Sequence, residues 1–193
     1  MLAIFARHAE SVLNIERRIN GDPSVDVPLT QEGEAQAHRL GVELANMRID
    51  ACIHTRFGRT RLTAEIALAG RDVAFAPEAL LDDIDIGELE GESLEAYRAW
   101  KHSHARGVPF PGGESLDDAA LRYAEAFRKL RTLPHERVLV VAHEIPIRYA
   151  LNGAAGSDSL DGPTHEITNA VPYLFDDEAL GRAADGIEAL VAG

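Results

Sequence analysis

The sequence lacks the features that mark secreted or membrane-spanning proteins. Its 193 residues include one cysteine, Cys52, which excludes an internal disulfide, and the flanking Ala51 and Ile53 predict a buried strand position for the thiol. No apolar run approaches the roughly 18 to 20 residues that a membrane helix needs. The N-terminus reaches Arg7 and His8 too early for the apolar region of a signal peptide, so we expect a cytoplasmic protein.

Positive charge is also scarce. The chain has 19 Lys and Arg against 32 Asp and Glu, which gives a formal net charge of −13. Nucleic acid is therefore excluded as an expected partner, because polyanion binding needs a basic surface. An anionic small molecule would have to be bound by a few local cations against the repulsion of the whole molecule.

Short apolar segments alternate with helical patterns along the chain. The helical patterns place apolar residues three and four positions apart, as in Leu40, Leu44 and Met47. This alternation predicts a three-layer α/β/α fold with a mostly parallel central sheet. The predicted strands are Leu2–Ala6, Ala51–His54, Val73–Ala76 and Val138–Ala142, with a further strand-like segment at Ala170–Phe175.

We expect one domain over residues 1–193, with an unusual middle third. Residues at about 80–115 are acidic and contain a proline and glycine loop, which predicts a lid or an insertion. Ser115 is the predicted N-cap of a helix that buries Leu116, Ala119, Ala120, Tyr123 and Phe127. The last dozen residues, rich in Ala, Gly and acids, predict a frayed helix or a loose tail.

Three of the predicted strands end in turns that carry histidine or arginine. Arg7 and His8 follow the first strand, Arg56 and Arg59 follow the second, and His143 follows the last. Ligands of open α/β sheets bind at the carboxyl ends of the strands, so we expect these side chains to share a pocket. Arginine matches phosphate oxygens bidentately and a neutral histidine can attack phosphorus, which favours a phosphoryl ligand.

The order and spacing of six segments resemble the histidine phosphatase superfamily, which includes cofactor-dependent phosphoglycerate mutases and related phosphatases. The resemblance implies that His8 is a nucleophile forming phosphohistidine, that Asp83 is the proton donor, and that Arg7, Arg59 and His143 line the phosphate pocket. It further places Asn14, Asn20 and Gly21 near phosphate or substrate. The segments are "RHAES", "DVPLTQEGEAQA", "TRFGRTRLTAE", "LLDDIDIGELEG", "PGGES" and "VLVVAHEIPIR".

Three residues depart from the family's usual pattern. Ala9 and Glu144 each replace the glycine that follows a histidine, and Asp83 stands where glutamate is commoner, with Asp82 and Asp85 as neighbours that could replace it. Glu144 would oppose a dianionic ligand at His143 unless it points away or pairs with Arg148 or another cation. Otherwise it recognises a positively charged part of the substrate, or marks a site that has lost activity.

We therefore expect a metal-independent phosphomonoester hydrolase without a cofactor, acting on a small-molecule substrate. The alternative enzyme is a phosphoglycerate mutase, which is disfavoured because Ile84 and Asp85 follow the acid where mutases of the family typically carry arginine. A phospholigand-binding module with impaired catalysis is the third interpretation. His102 and His104 are expected on a solvated helix end, His165 could lie at the pocket rim, and an exposed edge strand could support a homodimer.

Overall fold

A computed structural model describes all 193 residues, and its centre is a five-stranded sheet. The strands are β1 (Leu2–Arg7), β2 (Ala51–His54), β3 (Ala74–Pro77), β4 (Arg137–Ala142) and β5 (Pro172–Asp176). Their spatial order is β3-β2-β4-β1-β5. The first four strands are parallel and β5 is antiparallel to β1, as the alternating sequence pattern predicts for a mostly parallel sheet.

Helices cover both faces of the sheet. They are α1 (Val12–Ile15), α2 (Gln31–Glu43), α3 (Gly58–Ala67), α4 (Leu94–Ser103), α5 (Leu116–Leu130), α6 (Glu144–Ala154) and α7 (Asp177–Ala192). Alternate residues of each central strand point to opposite faces, so Ile4 packs in a cluster with Leu40 of α2, and Phe5 packs in a cluster with Phe127 of α5. The architecture is a three-layer α/β/α sandwich.

The sequence prediction for the C-terminal residues is wrong in one respect. Asp177–Ala192 forms a sixteen-residue helix with a packed face, not a loose tail. The Asp176 side chain caps it by accepting a hydrogen bond from the Ala179 N–H at 2.7 Å. Leu180, Ala184 and Ile187 are buried against the main core, and these small and apolar positions fix the helix although its composition is weakly hydrophobic.

The middle segment links the exposed edge strand β3 to helix α5. It contains two 3₁₀ turns, Ala79–Leu81 and Gly87–Leu89, followed by α4. Helix α5 begins where the sequence predicts, with the Ser115 hydroxyl accepting a hydrogen bond from the Asp118 N–H at 3.0 Å.

Cys52 is buried, and burial raises its pKa to about 12. None of the helices is both long enough and apolar enough to span a membrane.

Candidate active site

The carboxyl ends of three adjacent strands bring the predicted site residues together. His8 follows β1, Thr55 follows β2 and His143 follows β4, and these strands are neighbours in the sheet. They open into a cavity of about 900 Å³ that is lined by His8, Arg59 and Asp83 among others. The position agrees with the rule that ligands of open α/β sheets bind at this edge.

His8 is held with one ring nitrogen bound to the backbone and the other facing Arg59. Its Nδ1 lies 2.8 Å from the Ala9 carbonyl oxygen, which fixes the proton on Nδ1 because a carbonyl can only accept. Its Nε2 therefore carries the lone pair, and it accepts a hydrogen bond from Arg59 Nε at 3.1 Å. Burial, with the positive charges of Arg59 and Arg7, holds the His8 pKa well below its ordinary value of 6.5, so the ring is neutral.

Arg59 is the centre of the hydrogen-bond network. It lies at the start of α3, is 5 % exposed, and stacks on the Phe57 ring at 4.3 Å. Its Nη2 lies 3.2 Å from His143 Nδ1 and 3.3 Å from the Asp83 carboxylate. The guanidinium thus joins the three predicted catalytic side chains, of which His8 and Asp83 line the cavity.

His143 is the N-cap residue of α6 and is fully buried. Its Nε2 lies 3.0 Å from the Thr55 hydroxyl, and its ring centroid lies 5.5 Å from that of His8. Burial and the positive charge of Arg59 hold the pKa of His143 well below 6.5. His143 contacts Arg59 but does not itself line the cavity, whereas Glu144 and Ile145 bring the N-terminus of α6 to the cavity wall.

Asp83 is the carboxyl group that faces the histidines. Burial raises its pKa above the ordinary 3.8, and this effect exceeds the opposing influence of Arg59. The neighbouring carboxylates of Asp82 and Asp85 have other hydrogen-bond partners. Asp82 is buried and paired with Arg56, accepting from the Arg56 N–H at 2.8 Å and its Nε at 2.5 Å, while Asp85 is exposed and accepts from the Gly87 N–H.

Glu144 points to the same cavity, but its charge is balanced. One carboxylate oxygen lies 3.0 Å from Arg7 and the other 3.2 Å from Arg148. Of the alternatives that the sequence leaves open, the structure shows the one in which Glu144 is paired with cations. Arg7 also donates to the Ile167 carbonyl oxygen at 2.8 Å, so its guanidinium is held at the cavity wall.

The remaining predicted contacts lie on the opposite wall. Asn14 lines the cavity, and its side-chain oxygen accepts from the Ser11 N–H at 3.0 Å. The side-chain oxygen of Asn20 accepts from Arg59, and its backbone oxygen accepts from the same guanidinium at 3.2 Å. Gly21 packs so tightly on the segment after Asp83 that an added Cβ would lie 2.1 Å from the Ile84 carbonyl oxygen.

Several positioning residues carry no role in the sequence-based prediction. Glu90 accepts hydrogen bonds from the Asn20 side chain and the Gly21 N–H, both at 2.7 Å, and so fixes that loop. The Thr63 hydroxyl accepts from the Ala9 N–H at 3.0 Å and donates to the Arg59 carbonyl oxygen at 2.7 Å. Both residues lie inside the segments that carry the family resemblance, which is the signal that could have found them.

The peripheral histidines differ in position. His165 and His102 line the outer cavity, whereas His104 stacks on Trp100 with ring centroids 4.2 Å apart. His102 and His104 are both exposed at the end of α4, as predicted. No three His, Cys, Asp or Glu side chains lie close enough together to hold a metal ion.

Comparisons with known proteins agree with this geometry. Residues 3–179 match the family model of the histidine phosphatase superfamily, branch 1. A protein of Klebsiella pneumoniae named probable phosphoglycerate mutase GpmB is 33 % identical over 156 residues, which cover 76 % of this chain and 72 % of that protein.

Solved structures show the same fold. Bacillus stearothermophilus YhfR aligns with a TM-score of 0.79 and 25 % identity, covering 91 % of this chain and 90 % of that one. The alpha-ribazole phosphatase of Shigella flexneri aligns with a TM-score of 0.79 and 21 % identity over the same shares of the two chains. The chain therefore belongs to the histidine phosphatase superfamily, branch 1.

Proposed function

We propose that this protein is a phosphomonoester hydrolase that acts through a phosphohistidine at His8. The observation that carries the proposal is the state of the His8 ring. Its proton is held on Nδ1 by the Ala9 carbonyl oxygen at 2.8 Å, and its Nε2 lone pair, which accepts from Arg59 Nε at 3.1 Å, is released when a phosphoryl group replaces it as the partner of Arg59. A neutral imidazole fixed in this tautomer is a nucleophile that needs no separate base.

In the first step, His8 Nε2 attacks phosphorus and the bond from phosphorus to the ester oxygen breaks. The departing alkoxide is strongly basic, so a proton must reach it as it leaves. Asp83 is suited to donate that proton because its pKa is raised and its carboxyl group faces His143 and Arg59. The products of this step are the free alcohol and phosphohistidine.

In the second step, the Asp83 carboxylate removes a proton from water, and the resulting hydroxide attacks phosphorus. The nitrogen–phosphorus bond breaks, His8 recovers its lone pair, and inorganic phosphate leaves. The Asp83 side chain is 25 % exposed, so water reaches it. This access favours hydrolysis over transfer to a second substrate.

The positive charge needed for the transition state comes from the protein itself in this proposal. Arg59, Arg7 and the N-terminus of α6 face the phosphoryl position, and preorganised donors of this kind stabilise developing negative charge. We therefore propose that the reaction needs neither a metal ion nor a cofactor.

The test is a phosphatase screen in the presence of EDTA, with sugar phosphates, phosphoglycerates, nucleotides and p-nitrophenyl phosphate as substrates. We expect turnover by the wild type and a loss of at least about a thousandfold in kcat for His8→Asn, as for other removed nucleophiles. His38→Asn is the matched control, because His38 is exposed on α2 and does not line the cavity. Mass spectrometry after an alkaline quench should find the phosphoryl group on His8.

Three results of this screen would contradict the proposed function or its mechanism. Phosphate bound by the wild type without hydrolysis of any phosphomonoester would support a binding module instead of an enzyme. If EDTA abolished turnover and added metal restored it, the metal-independent mechanism would be contradicted. Turnover that survives in His8→Asn would exclude His8 as the nucleophile.

A phosphoglycerate mutase is the second candidate, supported by the relative of that name at 33 % identity. The two activities differ in where the phosphoryl group goes. With phosphoglycerate as substrate, a hydrolase releases one inorganic phosphate for each molecule consumed, whereas a mutase yields the isomeric phosphoglycerate without phosphate release. Phosphate assay and chromatography of the same reaction separate them.

A further inference from the structure

The charge of the cavity is opposite to that of the molecule. Its lining contains seven Arg and Lys side chains but only four Asp and Glu side chains, within a chain of net charge −13. The phosphoryl position at His8 uses only Arg7 and Arg59 of these cations. The others lie further out: Arg17, Arg18, Arg98, Lys101 and Arg148.

Two of the outer cations have no acidic partner. Most Arg and Lys side chains of this acidic protein lie within 4.0 Å of a carboxylate, including Arg17, Lys101 and Arg148 at the cavity. Arg18 and Arg98 form no such pair, although acids outnumber bases 32 to 19. A guanidinium left free at a cavity wall can bind a ligand anion without first breaking an ion pair.

Helix α4 presents one continuous stripe to the cavity. Its lining residues are Leu94, Tyr97, Arg98, Lys101 and His102, which recur three and four positions apart. The Tyr97 hydroxyl is buried and has no hydrogen-bond partner, and burial raises its pKa, so it keeps its proton and can donate. A buried polar group without a partner destabilises a protein unless a ligand satisfies it.

The backbone holds Arg18 close to the start of α4. The Leu94 N–H donates to the Arg17 carbonyl oxygen at 2.8 Å, and the Ile19 N–H donates to the Glu92 carbonyl oxygen at 3.0 Å. The loop that carries Arg18 is therefore joined to the helix that carries Arg98. Glu144 and Asp161 neutralise Arg7, Arg148 and, on α4 itself, Lys101, so the outer cations left without an acidic partner are Arg18 and Arg98.

We propose that Arg18 and Arg98, with the Tyr97 hydroxyl, form a subsite for a second anionic group of the substrate. The inference rests on the proposed phosphatase function and narrows the class of substrate that the enzyme prefers. The preferred substrate is a phosphomonoester that carries a further carboxylate or phosphate on its leaving group. The phosphoryl group binds at His8 while the second anion lies toward α4.

Two pairs of substrates, matched except for the second anion, test the proposal. They also show whether the subsite prefers a carboxylate or a phosphate. Glycerol 3-phosphate and 3-phosphoglycerate differ by a carboxylate, and adenosine 5′-monophosphate and adenosine 3′,5′-bisphosphate differ by a phosphate. We expect kcat/KM to be about tenfold higher for the more anionic member of at least one pair, the order expected for charged hydrogen bonds. The Arg18→Gln/Arg98→Gln double variant should reduce that ratio to near one.

The ratio within a pair corrects for a general loss of activity, and a charge-matched control corrects for the field of the molecule. That control is Arg61→Gln/Arg182→Gln, which removes two exposed cations from α3 and α7 outside the cavity and should keep the wild-type ratio. Tyr97→Phe keeps the stacking on Phe110, with centroids 5.6 Å apart, and should lower the ratio partially.

The outcomes separate this inference from the function on which it rests. A wild-type ratio near one for both pairs, or an equal fall in both double variants, overturns the subsite while p-nitrophenyl phosphate hydrolysis still reports the His8 chemistry. A ratio that survives in Arg18→Gln/Arg98→Gln overturns the assignment to these residues. Absence of turnover with every probe, p-nitrophenyl phosphate included, overturns the proposed function and the subsite with it.

Discussion

At the scale of single residues, burial and one guanidinium together set the pKa values of three neighbouring side chains. Arg59 lies within hydrogen-bond distance of His8, His143 and Asp83, and its charge lowers the pKa of both histidines. The same charge would lower the pKa of Asp83, but burial outweighs it. The site therefore pairs a neutral base with a carboxyl group that holds its proton unusually well, the two states that phosphoryl transfer to histidine needs.

The pKa shifts predict how Asp83→Asn changes the kinetics. With an alkyl phosphate such as glycerol 3-phosphate, kcat should fall by about 10²- to 10⁴-fold, because the leaving alkoxide receives no proton. With p-nitrophenyl phosphate, whose leaving group is a weak base, phosphorylation of His8 should persist while hydrolysis of phosphohistidine slows. Stopped-flow absorbance should then show a burst of one equivalent of p-nitrophenol.

The pH profile gives an independent check of the acid. Because the Asp83 pKa is raised, wild-type kcat/KM for the alkyl phosphate should fall as pH rises through that pKa, and Asp83→Asn should lack this limb. The substrate phosphate titrates in the same way with both proteins, so it does not account for a difference between their pH profiles. Asp85→Asn is the matched control, since Asp85 is exposed and lies outside the main cavity. Loss of alkyl phosphate turnover in Asp85→Asn alone would move the assignment to Asp85.

We expect Glu144 to compete with phosphate for Arg7. Its carboxylate lines the cavity and lies 3.0 Å from Arg7, so a phosphate that binds Arg7 would have to displace it. The side chain is 31 % exposed, and solvent limits the effect to about 1 kcal/mol. Glu144→Gln should therefore lower the inhibition constant of inorganic phosphate by about fivefold, measured as competitive inhibition of p-nitrophenyl phosphate hydrolysis.

Glu34→Gln is the control for this charge change. Glu34 also lies in the first turn of a helix, α2, but it is exposed and outside the cavity, so phosphate inhibition should be unchanged. Weaker inhibition in Glu144→Gln would show that the carboxylate serves mainly to hold Arg7 and Arg148 in place.

At the scale of elements, sequence patterns predict the parts whose contacts are local or periodic. The strands and the Ser115 cap follow from apolar runs and a hydroxyl before a helical pattern, and the structure confirms them. The packing of α7 depends on contacts with α5 and α6, which are distant in sequence, so composition alone predicts no more than a frayed helix or a loose tail. Glu90 escapes prediction for the same reason, since it acts on residues 68 to 70 positions away.

The loop at Gly21 and the segment after Asp83 form one packed unit. An alanine Cβ at position 21 would meet the Ile84 carbonyl oxygen at 2.1 Å and the Ile86 N atom at 3.1 Å, so one backbone must move. Gly21→Ala should lower the free energy of unfolding by about 1–3 kcal/mol and should displace Asp83, which lowers kcat for alkyl phosphates. Urea unfolding and steady-state kinetics measure the two effects.

Gly107→Ala is the same substitution where space exists. The added Cβ would lie 3.4 Å from an Asp117 carboxylate oxygen, an ordinary contact, so unfolding should change by less than about 0.5 kcal/mol. Equal destabilisation by the two variants would contradict a tightly packed unit at Gly21.

At the scale of the whole molecule, two of the three buried histidines, His8 and His143, couple the candidate active site to acid stability. His8 and His143 are buried with pKa values well below 6.5, so the folded protein excludes protons that the unfolded chain binds. Stability should therefore be fully present above pH 6.5 and should decrease as pH falls below it, by on the order of 1 kcal/mol per pH unit for each histidine. The raised pKa of Asp83 acts in the opposite sense, because the folded protein keeps a proton that the unfolded chain releases as pH rises from 3.8 to the raised pKa.

Urea unfolding of the wild type between pH 7 and pH 5 measures this slope, and His8→Asn should reduce it by about half because one of the two linked protons is gone. His38→Asn should leave the slope unchanged, since His38 is exposed on α2. A slope in His8→Asn equal to that of the wild type would contradict a neutral, buried His8. The neutral, buried imidazole of His8 would then explain both its nucleophilicity and the loss of stability in acid. A variant that becomes more stable at pH 5 because His8 is removed should therefore also lose turnover.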